Sequence, residues 1–267
     1  MTTTMPAAAG LTEIPPGPVL AVVAHPDDES FGLGALLSAL VETGREVRVL
    51  CLTHGEASTL GAAGNLADVR RAELALAAIH LGVSDATLDH FPDGALSGVS
   101  QEILDEAIDR HVGDARLLVA FEPGGVTGHP DHRAATLAAQ RIADRHRLAI
   151  LEWGVAPRVA AALEREVGVR FVALDGPGTT DVSVDRTRQW AAINCHTSQL
   201  TDNRVLARRL VLQGDGERIR LRSPKRHRDV GPRRQPRAQE APRARSPAVQ
   251  PGAVPSGQKS PVYGSWT

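Results

Sequence analysis

The sequence predicts an α/β fold: a Rossmann-like three-layer arrangement with helices on both faces of a mostly parallel sheet. Apolar runs of strand length alternate with helical patterns through the first 222 residues, and this alternation is typical of parallel α/β domains. Polar clusters follow several of these runs directly. The 267 residues, 42% hydrophobic and 23% charged, have the composition of a soluble globular protein with an ample core.

Six apolar runs are predicted to be strands, and five stretches between them to be helices. The predicted strands are Val19–Ala24, Val47–Thr53, Ala86–Phe91, Leu117–Phe121, Leu148–Glu152 and Val169–Leu174. The predicted helices are Phe31–Thr43, Leu66–Leu81, Gln101–His111, Arg133–Arg145 and Arg186–Asn194. Among them, Leu66–Leu81 is rich in alanine and is followed by Gly82, the usual residue just after a helix.

Composition divides the chain into three parts. Residues 1–17 are predicted to be a flexible N-terminus, 18–222 one domain, and 223–267 a disordered tail. The tail holds nine Lys or Arg against two acids, a net charge of +7, and eight of the 18 prolines, a composition that cannot form a core. A basic tail can touch nucleic acid, but a solvated appendage is the preferred interpretation, so nucleic acid is not an expected partner.

Several protein classes are excluded by what the sequence lacks. Its longest apolar runs are far shorter than the ~18 residues of a membrane span. The N-terminus has neither a basic start nor an apolar stretch, so we predict no secretory signal and a cytoplasmic location. The only cysteines, Cys51 and Cys195, allow neither a disulfide framework nor a four-cysteine zinc site. A metal site would therefore use histidine and carboxylate ligands.

Ionisable residues follow four consecutive predicted strands. The clusters read HPDDE, THGEAS, FPDGAL and EPGGVTGHPDH in chain order. In open α/β sheets the ligand site lies beyond the carboxyl ends of the strands. These four clusters are therefore expected to converge on one ligand site.

Two of the clusters have the residue types and spacing of a metal site. His25 and Asp28 are three residues apart in the first, and His129 and His132 in the second, each within an H-P-D tripeptide stiffened by its proline. A catalytic zinc takes three ligands from His, Asp and Glu and leaves a position for water. Each residue alone would be interpreted as a surface or capping residue. Two H-P-D tripeptides at adjacent strand ends favour a metal site.

The sequence resembles the zinc-dependent de-N-acetylases, which include the glycosylphosphatidylinositol deacetylase, the mycothiol-pathway deacetylase and amidase, and LmbE-like proteins. The resemblance lies in AHPDDE at Ala24–Glu29 and GHPDH at Gly128–His132. It extends through HGEAS, VRRAELALAAIHLGV, FPDG and CHTSQL, and so covers roughly residues 18 to 222. It implies an LmbE-like fold and hydrolysis of an amide.

The resemblance also implies a set of metal ligands and a general base. His25, Asp28 and His132 would bind Zn²⁺ or another divalent metal. Asp27 would be the general base that takes a proton from water, since a carboxylate beside the metal ligands can accept it. Glu29 is expected to support the turn.

Further roles come from the same resemblance. His129, in its protonated form, would assist the oxyanion and the leaving amine, with Asp131 orienting its ring. Arg70 would bind substrate hydroxyls; an exposed arginine paired with Glu73 is the alternative. Asp93 would line the sugar pocket, although an Asp-Gly turn also explains it.

For three residues outside the two H-P-D motifs, the sequence gives a weaker indication of their role. His54 and Glu56, in the loop after the second strand, could reach the site. His196, beside Cys195, is interpreted as structural or pocket-lining.

The resulting hypothesis is a zinc-dependent hydrolase that removes an acyl group, such as acetyl, from a small N-acyl amino sugar, a glycoconjugate or a related amide. The alternative is a non-catalytic carbohydrate-binding or regulatory protein of the same fold. The sequence leaves open the exact substrate, the metal used in the cell and the oligomeric state. It does not exclude an oligomer.

Overall fold

A computed structural model describes residues 11, 13–60, 64–201 and 203–224. Most of the stretch predicted to be a flexible N-terminus, and nearly all of the predicted tail, lie outside these residues. Leu11 and Ile14 are described, and both are buried in the core. This part of the stretch predicted to be flexible therefore packs against the domain.

Within these residues the chain forms seven strands, nine α-helices and one 3-10 helix. The strands are β1 (Val19–Val23), β2 (Val47–Thr53), β3 (Asp85–Phe91), β4 (Leu117–Phe121), β5 (Ala149–Gly154), β6 (Thr179–Ser183) and β7 (Gly216–Arg222). The helices are α1 (Asp28–Phe31), α2 (Gly34–Glu42), α3 (Leu66–Leu81), α4 (Gln101–Val112), α5 (Pro130–His146), α6 (Pro157–Val167), α7 (Thr187–Ile193), α8 (Thr197–Leu200) and α9 (Arg204–Gln213). The 3-10 helix, Leu96–Gly98, precedes α4.

The strands form one sheet in the order β3-β2-β1-β4-β5-β7-β6. Strands β1 to β5 are parallel, whereas β7 runs antiparallel to both β5 and β6. This confirms the predicted α/β fold with a mostly parallel sheet. The strand order reverses between β1 and β4, and such a switch point is where open α/β sheets bind ligands.

Strand β1 shows why the sheet is covered on both faces. Its five residues are all buried, as expected for a central parallel strand. Val19, Ala21 and Val23 belong to the core cluster that includes α2, α3, α6, α7 and α9. Leu20 and Val22 belong to the cluster on the opposite face, with α4 and α5.

None of the helices in the described part of the chain is both long and apolar enough to cross a membrane.

The sequence patterns located five strands of the sheet correctly and misplaced the sixth. The predicted strand Val169–Leu174 makes only an isolated bridge, between Ala173 and Val155. Its backbone instead donates to loop carbonyls, from Val172 N to Val126 O over 2.6 Å and from Leu174 N to Val155 O over 2.9 Å. This segment therefore supports the loop after β4 rather than extending the sheet.

Strand β7 was missed because alternate residues in it are arginines. In this strand the apolar residues Ile219 and Leu221 alternate with Arg220 and Arg222. Both arginines pair with Glu152 on β5, at 2.5 and 3.0 Å, and Glu152 is buried. An antiparallel strand of alternating charge is thus placed in the sheet by one buried acid.

Two helices begin closer to the H-P-D motifs than predicted. Helix α5 starts at Pro130, with His129 as its N-cap, three residues before the predicted start. The predicted helix Phe31–Thr43 is two helices, of which α1 begins at Asp28. Both H-P-D motifs therefore lie where a strand end passes into a helix, and Pro130 occupies the first turn of α5, a position that suits proline.

We predict that a chain ended after Arg222 folds as stably as the full chain, because β7 completes the described sheet at that residue. Thermal unfolding and amine release of the two chains would measure this. A melting temperature lowered by more than about 4 °C, roughly the effect of 1 kcal/mol or more, would show that residues 223–267 pack against the domain.

Candidate metal centre

The loops after β1 and β4 meet at the switch point of the sheet. His25 follows β1, and His132 lies in the first turn of α5, which follows β4. Nδ1 of His25 lies 3.2 Å from Nε2 of His132, although the residues are 107 positions apart in the chain. The parallel pairing of β1 with β4 brings them together, as the strand-end argument predicted.

His25, Asp28 and His132 form a compact buried triad. Nε2 of His132 lies 3.1 Å from Oδ1 of Asp28, and Nδ1 of His25 lies 3.6 Å from Oδ2 of Asp28. Ligand atoms bound tetrahedrally at 2.0–2.2 Å from a zinc ion are about 3.3–3.6 Å apart. The two histidine nitrogens and the Asp28 carboxylate therefore lie at separations close to those of metal ligands.

The outer nitrogens of both histidines face acceptors. Nε2 of His25 lies 3.1 Å from Asp93 and 3.4 Å from Asp131, while Nδ1 of His132 lies 3.3 Å from the carbonyl oxygen of Gly125. Protons on these outer nitrogens leave both inner nitrogens with lone pairs directed at the centre of the triad. Metal-binding histidines in proteins commonly have this arrangement.

The turn around Asp28 keeps this carboxylate in place and ionised. The backbone amides of Ala24 and His25 donate to Oδ2 of Asp28, over 3.2 and 2.9 Å. Burial raises the pKa of Asp28, but His132 and His25 lower it more, and the net pKa is well below its usual range. A metal ligand has to be deprotonated, as Asp28 is here.

Two other sets of nearby residues could also supply three donor atoms to a metal. The donor atoms of His25, His129 and His132 lie within 4.8 Å of one another, as do those of His25, Asp93 and Asp131. The second set surrounds the outer nitrogen of His25, on the other side of the ring from the triad. The triad is distinguished by Asp28, an ionised carboxylate whose oxygens lie 3.1 and 3.6 Å from the inner nitrogens of the two histidines.

Asp131 contacts two histidine rings: its carboxylate lies beside His25, and its backbone amide donates to Nδ1 of His129. The Asp131 carboxylate accepts from the backbone amides of Gly94 and Leu96, over 2.8 and 3.0 Å, and lies beside His25. These donors hold it against the His25 ring because the loop after β3 packs over the start of α5. Asp131 therefore orients His25.

Asp27 is buried next to the triad and has an unusual backbone. Its φ angle is 148°, in a region that residues with a Cβ rarely adopt. Burial raises the pKa of its carboxyl to about 6, although Arg70, whose Nη2 lies 2.9 Å from Oδ2, acts in the opposite direction. Strained residues of this kind cluster at functional sites.

Glu29 supports the turn, as predicted. Its Oε2 accepts from the backbone amide of Asp27 over 2.9 Å, and its Oε1 lies 2.7 Å from Nε2 of His196. His196 is buried and also lies 3.2 Å from the hydroxyl of Ser30. The structural interpretation of His196 thus agrees with its contacts.

The two predicted substrate residues lie at the site. Arg70 is buried beside Asp27 and makes no pair with Glu73, which instead accepts from Thr197 and Ser198. The alternative of an exposed Arg70 paired with Glu73 is therefore wrong. Asp93 contacts His25 and accepts from the backbone amide of Ala57 over 2.9 Å.

His129 is held as the N-cap of α5. Its Nδ1 accepts from the backbone amide of Asp131 over 3.2 Å, so a neutral ring carries its proton on Nε2. Burial, together with His132 and His25, lowers the pKa of His129 to about 4. The ring is therefore neutral near pH 7, which differs from the predicted protonated form.

Sequence reasoning missed one acid that shapes the second motif. Glu122 follows β4, and its carboxylate accepts from the amides of Gly124 and Val126, over 2.5 and 2.6 Å. It therefore fixes the loop that leads to His129. Its position directly after a buried strand, before two glycines, was the available indication.

His54 and Glu56 lie around the site rather than in the triad. Nε2 of His54 is 3.0 Å from Nδ1 of His90, with the two rings stacked. The carboxylate of Glu56 accepts from the backbone amide of Asp93 over 2.9 Å. Through Asp93, Glu56 helps to position a residue that contacts His25.

The mostly parallel α/β sheet thus places at its switch point a His-Asp-His triad and a buried carboxylate, groups that suit a divalent metal. Residues 20–143 match the family described as PIG-L, GlcNAc-PI de-N-acetylase. The chain belongs to this family of de-N-acetylases, which are amide hydrolases.

Similar proteins carry related names. The 1D-myo-inositol 2-acetamido-2-deoxy-alpha-D-glucopyranoside deacetylase of Saccharomonospora viridis is 30% identical over 68% of this chain and 85% of its own. The deacetylase of the same name from Salinispora arenicola is 28% identical over 72% and 79%. The N,N'-diacetylchitobiose deacetylase of Pyrococcus horikoshii has the same fold, with a TM-score of 0.56 and 22% identity over 77% and 84%.

Proposed function

We propose that this protein is a zinc-dependent de-N-acetylase that hydrolyses the acetamide of a small N-acetylglucosamine glycoside. The observation that carries the proposal is the triad of His25, Asp28 and His132 with Asp27 buried beside it. Membership of the de-N-acetylase family supports the same reaction.

The proposed metal ligands are Nδ1 of His25, the carboxylate of Asp28 and Nε2 of His132. When bound, the ion would supply Lewis acidity, which lowers the pKa of a water molecule and polarises a carbonyl group. Asp131 keeps the proton of His25 on the outer nitrogen, and Gly125 O does the same for His132.

Asp27 is the proposed general base. A water oxygen attacks the acetyl carbonyl carbon while the Asp27 carboxylate takes one of its protons. The bond between that carbon and the amide nitrogen then breaks, and Asp27 delivers the same proton to the departing nitrogen. The products are the free amino sugar and acetic acid, which ionises to acetate by giving its proton to the amine or to solvent, and Asp27 is again ionised.

His129 is the proposed hydrogen-bond donor to the developing oxyanion. Its Nδ1 is occupied by the backbone amide of Asp131, which leaves Nε2–H to donate. A neutral imidazole with a lowered pKa donates this bond without first acquiring a proton. We therefore expect His129 to contribute no alkaline limb to the pH profile.

The substrate class is inferred from the relatives. Two of them are named for the same N-acetylglucosaminide of inositol and one for N,N'-diacetylchitobiose, and both substrates carry N-acetylglucosamine. A screen for amine release over N-acetylglucosamine glycosides, with metal analysis of the same sample, tests the proposal. About one metal per chain with release from at least one glycoside is expected, and no release from any of them would contradict it.

A non-catalytic carbohydrate-binding protein is the competing function. It would not need the strained, buried Asp27 next to the triad, because such a residue costs stability. The family membership also favours the enzyme. We also propose that this enzyme acts on a small molecule and that it does so in the cytoplasm, the location predicted from the sequence.

Zinc binding is expected to weaken as the pH falls. Burial lowers the pKa of His25, but hydrogen bonds to Asp131, Asp28 and Asp93 raise it more, and the net pKa is well above its usual value. A protonated His25 cannot bind a metal, so protons compete with zinc even near neutral pH. The Kd for zinc should rise by about tenfold per pH unit below this pKa. A Kd that stays constant between about pH 6 and 8 would contradict this ligand assignment.

A further inference from the structure

We propose that His196 is a positioning residue, which holds the base Asp27 in its catalytic position through a hydrogen bond to Glu29. The inference rests on the proposed function, in which Asp27 moves the proton. His196 lies between α7 and α8, 167 positions along the chain from Glu29. It belongs to the CHTSQL segment, to which neither the triad nor the proposed reaction gives a task.

Two short contacts connect the His196 ring to the backbone of Asp27. Nε2 of His196 lies 2.7 Å from Oε1 of Glu29, and Oε2 of the same carboxylate accepts from the backbone amide of Asp27 over 2.9 Å. A proton on Nε2 lets His196 donate to Glu29 in the neutral ring and in the protonated ring alike. All three side chains are buried, so the loss of either contact would leave a buried polar group poorly satisfied.

The backbone of Asp27 needs this support. Its φ of 148° is strained, and such a conformation persists only if the surroundings fix it. Glu29 fixes the amide of Asp27, while His196 and the hydroxyl of Ser30, which donates over 2.6 Å, fix Oε1 of Glu29. Without His196, the Ser30 hydroxyl alone would hold this oxygen, and the Glu29 carboxylate could turn away from Asp27.

The His196 ring is itself held in one orientation. The His196 backbone amide donates to the carbonyl oxygen of Ile193 over 3.1 Å, and its carbonyl oxygen accepts from the amide of Gln199 over 2.9 Å. The ring meets the ring of Phe31 at 83°, with centroids 5.6 Å apart. Nδ1 is buried and has no hydrogen-bond partner among the described residues, so a single ring proton is best placed on Nε2, facing Glu29.

The residues after His196 anchor the same segment at other places. The hydroxyl of Ser198 donates to Glu73 of α3 over 2.7 Å. The hydroxyl of Ser58, in the loop after β2, donates to the side chain of Gln199 over 2.7 Å. These contacts hold the segment without touching the turn that carries the base. A variant at one of them therefore separates a general loss of stability from a loss of positioning.

The test compares His196→Leu and His196→Gln with Ser198→Ala. Leucine fills much of the space of the ring but cannot donate, whereas the amide nitrogen of glutamine can take the place of Nε2. Ser198→Ala is the matched control, because it removes a hydrogen bond of the same segment that leads to Glu73 instead of Glu29.

The three variants should differ in kcat. His196→Leu should lower kcat by roughly 10- to 100-fold, because a misplaced catalytic group costs rate, with KM changed by less than about threefold. His196→Gln should recover most of this loss, since it restores a donor to Glu29. Ser198→Ala should match the wild type.

Zinc content and crystal structures provide readouts independent of activity. All three variants should bind about one zinc per chain, because they leave the triad intact. In zinc-loaded His196→Leu the Glu29 carboxylate should leave the amide of Asp27, and the Asp27 carboxylate should shift, while both keep their places in His196→Gln. If His196→Leu does not fold, His196→Asn replaces it, since this shorter amide stays polar but does not reach Glu29.

Four results would overturn the inference. They are a wild-type kcat in His196→Leu, an equal loss of kcat in His196→Leu and His196→Gln, loss of zinc in either variant, and an Asp27 carboxylate that does not move. A raised KM with unchanged kcat is a case of the first, and it would mark a substrate contact. If the wild type releases no amine from any N-acetylglucosamine glycoside, the proposed function fails, but the position of Asp27 in the variant structures still decides whether His196 holds it.

Discussion

Asp27→Asn should lower kcat for amine release by roughly 10²- to 10⁴-fold while zinc content stays near one per chain, because a positioned general base contributes about this much. Asparagine preserves the shape of the side chain but cannot accept the proton. Asp28→Asn is the matched comparison, since it alters the next carboxylate, which belongs to the triad. If Asp27→Asn loses zinc and Asp28→Asn keeps it, the two roles are reversed.

The pH profile tests the same assignment independently. Asp27 accepts a proton only when ionised, so kcat/KM should fall as the pH drops through its pKa. Burial raises this pKa to about 6 in the metal-free protein, and a bound cation would lower it. The acidic limb should therefore lie at or below about pH 6, and Asp27→Asn should abolish it. An unchanged limb in this variant would assign it to another group.

His132→Ala and Asp28→Ala should each remove the metal and with it nearly all activity. Each takes away one of three donors that lie within 3.6 Å of one another, and two remaining ligands make an inadequate zinc site. Metal analysis after dialysis, beside the amine-release assay, would measure both effects. Full zinc occupancy in both variants would refute the triad.

His129→Ala is the control for these two variants. His129 lies three residues before His132 in the same motif and belongs to an alternative set of possible ligands, with His25 and His132. It should keep the zinc and lose activity through kcat, because only the donor to the oxyanion is removed. Loss of zinc in this variant would place His129 among the ligands instead of Asp28.

Much of the fold followed from local pattern. Strands β2 and β4 and helix α3 begin and end at the predicted residues. They could be predicted because the spacing of apolar residues and the composition of a segment are local properties of the chain. Strand β7 and the edge strand β6 were not predicted. Acidic residues distant in the chain face the arginines of β7: Glu152 pairs with Arg220 and Arg222, and Asp175 and Asp181 pair with Arg218, which no local pattern shows.

By itself, the sequence determined which chemical groups meet. Parallel strands deliver their carboxyl ends to one edge, so HPDDE and GHPDH had to converge there, and their spacing indicated a metal. Only the tertiary structure decided which atom faces which. Asp131 turned out to orient His25, and Arg70 to pair with Asp27. These contacts join loops from different strands and helices, and their geometry depends on how the layers pack, so residue spacing within one motif could not reveal them.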